Sequence, residues 1–306
     1  MKKYGLIFLS ILIIIALQVS RAYFEKEEKT IRQQIRQTVE TQFPQQASRY
    51  QEKLGLKQVI SHQAAEKNVV LIHGLDDPGK VWMTLVPVLE SKPVNTWVMN
   101  YPNDQPISDS AGFFQEQLVK LAAKGVTDVS IVAHSMGGLV SREMLTNKKW
   151  QCKTFNCQSA RPVINELIMV GTPNHGSELA RFRELSEIRE QISRIFSGET
   201  DWLEWILDGA GEAGVDLIPG SDFLKALNGR PLPKNTEHFV IAGTLGNDKT
   251  FKLNGDGLVS VDSAKLDNVE MTIVVGNHLS IIRNVSVKSK RIPPAIPLIL
   301  EKLFPK

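Results

Sequence analysis

The sequence predicts an α/β domain, with a mostly parallel central sheet, helices on both faces and an inserted helical cap, and three observations predict it. From about Asn68 onward, short apolar runs alternate with longer amphipathic segments. Those runs are apolar almost throughout, as strands of a sheet covered on both faces are. One interval, from Gly171 to Glu237, is too long for a simple crossover and carries apolar residues at helical spacing.

Taken from the start of the chain, Lys2 and Lys3 precede an uncharged apolar run from Tyr4 to Val19. It falls slightly short of the about 20 residues that cross a bilayer as a helix, and exceeds the usual signal-peptide core of about 7 to 15. Residues 1–22 therefore read as a signal anchor, with a cleaved signal peptide ending at Ser20-Arg21-Ala22 as the alternative. With the lysines ahead of the run, the positive-inside rule leaves the rest of the chain outside the cytoplasm, on the periplasmic or extracellular side, or secreted if the segment is cleaved. Residues 23–67 read as a polar helical stalk, in which Ile31, Ile35 and Val39 form a stripe that ends before Pro44.

The remainder, 68–306, is the α/β domain. Buried strands are expected at Val69–His73, Thr96–Asn100, Val129–Ala133, Glu166–Val170, Phe239–Ala242 and Met271–Val275, and helices around Ser110–Ala123, Gly138–Leu145 and Pro294–Leu303. The cap insertion spans about 174–237, with Leu179, Phe182, Leu185, Ile188, Ile192 and Ile195 at helical spacing, then Trp202, Trp205, Ile206 and Leu207. Such a cap lines an acyl pocket, opens at a lipid surface, or is an ordinary helical layer with its own core. Cys152 and Cys157 lie in one short polar segment; in an exported protein they close a small disulfide loop, and otherwise stand as two thiols. Two ligands at that spacing fall short of a zinc site. A formal net charge of +3, with no concentration of Lys and Arg, does not point to a nucleic-acid surface.

Chemistry concentrates at Val132-Ala133-His134-Ser135-Met136-Gly137-Gly138, which follows an apolar strand and opens an amphipathic helix. A nucleophilic serine on a tight strand-to-helix turn needs small neighbours two before and two after it, so that strand and helix can approach, and Ala133 and Gly137 meet that demand. The helix N-terminus also puts backbone N–H groups where an oxyanion would form. These residues resemble the lipase and esterase branch of the α/β-hydrolase family, whose usual pattern is Gly-x-Ser-x-Gly; Ala133 stands at the first glycine. Upstream, Val69-Val70-Leu71-Ile72-His73-Gly74-Leu75 resembles the family's second oxyanion segment. The resemblance implies that the N–H groups of Leu75 and Met136 face the developing charge, with His73 supporting the turn. Met169-Val170-Gly171-Thr172-Pro173-Asn174-His175-Gly176 resembles the Gly-Thr-Pro segment after the following strand, which is either a pocket wall and hinge or only a turn.

A serine hydroxyl is a weak nucleophile at neutral pH and needs an imidazole to take its proton and a carboxylate to orient that imidazole. The family's chain order is serine, acid, histidine. Among the six histidines only His278, in Asn277-His278-Leu279 after the last apolar run, fits that order. For the acid, the loop after Phe239–Gly243 offers Asp248, Asp256, Asp262 and Asp267. Asp256, between Gly255 and Gly257 and before Leu258-Val259, resembles the family's Asp-Gly-Leu-Val segment and is preferred, with Asp262 as its competitor. Some secreted bacterial lipases hold a calcium through an Asp close after the histidine, but Ser280 occupies the neighbouring position, so neither a metal nor a cofactor is expected.

The resemblance implies an acyl ester or lipid ester substrate, cleaved through an acyl-enzyme. A thioesterase or transacylase with the same triad is the alternative, and a membrane-tethered interaction protein on a hydrolase scaffold is another.

Overall fold

The computed structural model describes residues 40–75, 79–150, 161–177, 212–246, 254–284 and 291–305, together with Gln34, Gln37, Thr38 and Ser289. The N-terminal apolar run, the stripe residues Ile31, Ile35 and Val39, both cysteines, Asp248, and the apolar positions from Leu179 to Leu207 lie outside the described residues. Among the described residues, no helix is long and apolar enough to cross a membrane.

Among the described residues, seven strands form one sheet in the order β1-β3-β2-β4-β5-β6-β7. They are β1 (Gly55–Ile60), β2 (Lys67–Ile72), β3 (Val94–Asn100), β4 (Asp128–His134), β5 (Val163–Val170), β6 (Glu237–Thr244) and β7 (Glu270–Val275). All neighbouring pairs are parallel except β1 with β3. The expected runs therefore fall on β2 to β7, each strand starting one to three residues earlier than its apolar stretch.

Within β4 the period-2 alternation of strand side chains divides the core. Ile131 and Ala133 join a buried cluster on one face, and Val132 joins the cluster on the other. The first face is covered by α3 (Ile107–Ala122) and α4 (Met136–Thr146); the second by a 3₁₀ turn (Lys80–Met83), α2 (Leu85–Leu89) and α8 (Ala295–Leu303). Helices on both faces explain why the central strands are apolar nearly throughout.

Two differences from the sequence expectation stand at the N-terminal side. Pro44 opens a helix, α1 (Pro44–Lys53), after a break at Phe43; proline suits the first helical position, where its missing N–H would have no intrahelical acceptor. Gly55–Ile60, within the stretch 23–67 expected to be helical stalk, is instead the antiparallel edge strand β1, so the domain extends upstream of residue 68. Its three central residues, Lys57, Gln58 and Val59, are exposed.

The interval assigned to the cap also divides. Within it, α5 (Glu212–Asp216) and α6 (Asp222–Asn228) are described, and their Ala213, Leu224 and Leu227 join the same core cluster as α3 and α4. The Ala213 N–H donates to the Asp104 carbonyl at 3.0 Å, and the Ile107 N–H to Asp216 Oδ2 at 2.8 Å. These helices thus share the core that α3 and α4 bury.

Candidate active site

From the central strand β2 the chain pairs β3 on one side and β4 on the other. In an open parallel sheet, the carboxyl ends of strands at such a reversal diverge and leave a crevice. His73 and Gly74 follow β2 there, and His134 and Ser135 stand at the end of β4. Gly171 follows β5, and His278 follows β7.

Ser135 has φ +53° and ψ −130° and is the N-cap of α4. Only it and Asn268 have positive φ among the described non-glycine residues. Holding a β-substituted residue in such a conformation costs on the order of 1–3 kcal/mol. Surrounding structure fixes it: the Ser135 N–H donates to the Val170 carbonyl at 2.9 Å, and Ala133 and Gly137 are fully buried on either side. Met136, the first residue of α4, is buried as well.

The turn after β2 comes against this serine. A Cβ on Gly74 would stand 2.6 Å from the Ser135 Cβ, so only glycine lets the two segments approach this closely. Leu75, half-buried, comes next. His73 supports the turn, as expected from the sequence. Its Nδ1–H donates to the Gly74 carbonyl at 2.8 Å, its ring stacks on Tyr101 at 4.8 Å, and the Tyr101 hydroxyl donates to the His73 carbonyl at 2.7 Å.

Asp256 and His278 meet. Nδ1–H of His278 donates to Asp256 Oδ2 at 2.8 Å, and the other carboxylate oxygen, Oδ1, accepts from the N–H groups of Leu258 at 2.9 Å and Val259 at 2.8 Å. Asp256 is 1% exposed and His278 7%. A buried carboxylate with both oxygens bonded is fixed in orientation, and it selects the His278 tautomer that leaves Nε2 free to accept a proton. Asp262 and Asp267 are exposed, with Asp262 in the first turn of α7 (Val261–Ala264). Beneath the pair lies Gly171, at φ +60°; a Cβ there would stand 3.2 Å from His278 Nδ1 and 3.3 Å from Asp256 Oδ2.

Two groups were not singled out by the sequence. His134 adjoins the serine, and its ring centroid lies 4.7 Å from that of His278. Arg142, 2% exposed in the middle of α4, donates from Nη1 to Asn174 Oδ1 and from Nη2 to Asn228 Oδ1, each at 2.9 Å. Burial first, then the neighbouring Arg230, lowers its pKa to about 10, so it stays charged at neutral pH. Asn174 also donates to the Ala264 carbonyl at 2.7 Å, and Asn228 to the Asn174 carbonyl at 2.9 Å. The segment after β5 is thereby tied to α4, α6 and α7. Beside Arg142, the buried Glu143 pairs with Arg230 and accepts from Asn147 Nδ2 at 2.6 Å.

A family model described as "Domain of unknown function (DUF7379)" matches residues 114–269. Over 133 residues the chain is 29% identical to proteins named triacylglycerol lipase from Pseudarthrobacter phenanthrenivorans and from Burkholderia plantarii. Each match covers 40% of this chain, and 38% and 34% of those relatives respectively, so the chain spans little more than a third of their length. Among solved structures, the mature form of Bacillus licheniformis lipase BlEst2 is similar at a TM-score of 0.54 and 20% identity, over 74% of this chain and 92% of that one. Staphylococcus hyicus lipase is similar at 0.56 and 13% identity, over 79% and 96%. At such identities the likeness concerns the fold, which is the α/β-hydrolase fold.

Proposed function

For a chain that belongs to the family described as Domain of unknown function (DUF7379), we propose a serine hydrolase that cleaves carboxylic esters, with Ser135 as nucleophile, His278 as base and Asp256 orienting the imidazole. The observation that carries the reading is a serine held at φ +53° between strand and helix, in the crevice that also holds a buried carboxylate–imidazole pair.

In this mechanism Ser135 Oγ attacks the ester carbonyl carbon while its proton passes to His278 Nε2. Negative charge gathers on the carbonyl oxygen, and the backbone N–H groups of Leu75 and Met136 stabilise it; one such donor is worth about 3 to 4 kcal/mol in comparable sites. Collapse breaks the ester bond, and the leaving alkoxide takes the proton from His278. Water then attacks the acyl-enzyme, again giving its proton to His278, and the acid departs as Ser135 recovers its hydrogen. Asp256 keeps its negative charge throughout and favours the imidazolium that forms twice per cycle.

A lipid or other acyl ester is the proposed substrate class, supported by the likeness to proteins named triacylglycerol lipase. The apolar run Tyr4–Val19 is the proposed membrane anchor, with the domain outside the cytoplasm. Full-length protein then stays in the membrane fraction until detergent is added, and release by salt alone refutes the anchor.

The test is labelling by a fluorophosphonate, with hydrolysis of esters and thioesters of graded acyl length, for the wild type and Ser135→Ala. The reading expects Ser135-dependent labelling and ester turnover. Turnover that survives Ser135→Ala overturns the mechanism, and a preference for thioesters overturns the substrate class.

A further inference from the structure

His134 ends β4 immediately before Ser135, is 2% exposed, and its Nε2–H donates to the backbone carbonyl of His278 at 3.0 Å. The two rings are 4.7 Å apart, inclined at 47°. On its other side the His278 backbone N–H donates to the Asp256 carbonyl at 3.0 Å. The turn that bears His278 is therefore suspended between the Asp256 segment and the end of the strand that bears Ser135. No ladder hydrogen bond makes that second connection, because β5 and β6 lie between β4 and β7 in the sheet. Small errors in the register of two intervening strands would accumulate between serine and histidine; the His134 bond spans them directly.

We propose that His134 is a positioning residue, which acts through the His278 carbonyl to set the imidazole of His278 relative to Ser135. The proposal rests on the assignment of His278 as base under Proposed function.

An imidazole suits this place as a neutral donor. Its Nδ1 is buried without a hydrogen-bond partner among the described residues, so a proton there would add an unpaired buried N–H and a buried charge. Burial is the chief reason that His134 titrates well below its ordinary range; His278, His73 and Arg283 add repulsion, and only the bond to the His278 carbonyl opposes them. Asp256 is bonded to Nδ1 of His278. His134 thus stays an uncharged donor while His278 gains and loses its proton.

The full-length chain carrying His134→Leu or His134→Gln tests this. Glutamine presents an amide N–H near the place of Nε2–H; leucine presents none. The expectation for a short-chain aryl ester is a fall in kcat of about 10- to 100-fold in His134→Leu with KM within about twofold, and recovery to within about threefold of wild type in His134→Gln. Wild-type kcat in the leucine variant, or equal loss in both, overturns the proposal. Two readouts decide it without turnover: amide exchange at residues 277–279, faster in the leucine than in the glutamine variant, and histidine-selective nitrogen NMR of the unsubstituted chain, showing His134 neutral with its proton on Nε2. Equal exchange in the two variants, or the proton on Nδ1, overturns it. Absence of fluorophosphonate labelling in the wild type instead refutes the serine hydrolase reading, and leaves the exchange and NMR results to decide the His134 tie.

Discussion

Asp256 and His278 are joined twice, once by the 2.8 Å bond between Oδ2 and Nδ1 and once by the 3.0 Å bond from the His278 N–H to the Asp256 carbonyl. The doubled link fixes ring and backbone together. Replacing Asp256 with Asn keeps the shape but offers a donor or a weaker acceptor to Nδ1, which favours the wrong tautomer. Steady-state kinetics of Asp256→Asn should show kcat reduced by about 10,000-fold. Asp262→Asn, at an exposed position, should stay within about twofold of wild type. Equal losses would reassign the acid.

Gly171→Ala places a methyl against both members of that pair, at a φ that favours glycine. The left-handed conformation alone costs about 1–2 kcal/mol, readable as a lower midpoint in chemical denaturation. Displacement of the imidazole should also lower kcat by about 100-fold. A variant with wild-type stability and kcat would show that the segment yields without consequence.

Arg142→Met removes the donor that satisfies Asn174 and Asn228, leaving the amide oxygens of the buried Asn174 and the half-buried Asn228 without it. The expected loss of unfolding free energy is about 2 to 4 kcal/mol, measured by denaturant titration. Because Asn174 holds the segment that follows Gly171, activity should decline as well, even far below the denaturation midpoint.

A depressed histidine pKa gives stability a pH dependence of known sign. Below 6.5 the unfolded chain protonates His134 while the folded chain does not, so the unfolded state binds more protons and stability falls as pH falls. His238, also lowered chiefly by burial, acts in the same direction. The difference in stability between wild type and His134→Gln should therefore change by about 1.4 kcal/mol per pH unit below that value, the wild type losing more on acidification. A constant difference from pH 7 to pH 5 would contradict the buried neutral state.

Legibility in the sequence followed burial. Strands β2 to β6 were readable because two helical layers make them apolar over most of their length, and β7, at the other edge, was readable because it stays apolar although Ile273 and Val275 are exposed. The edge strand β1 was not, since Lys57, Gln58 and Val59 are exposed and only Leu56 and Ile60 pack inward, against opposite clusters. Ser135, Asp256 and His278 stood out through chain order and local glycines, and the structure joins Asp256 to His278. Arg142 and Glu143 escaped notice because two adjacent charges in a helix normally face water; here their partners come from Asn174, Asn228 and Arg230, far along the chain. His134 escaped for another reason: its bond is to the backbone of His278, and a backbone carbonyl carries no residue signature.

All eleven residues of α4 are buried, from Met136 to Thr146, and the helix begins where Ser135 ends its turn. A helix with no solvent face cannot fray from its own surface; loosening it means parting α3, α6 and the sheet together. The serine is thus mounted on a part of the fold that has no surface of its own from which to open. Thermal inactivation of this site should coincide with the cooperative transition of the whole domain, and amides of α4 should exchange only through global opening.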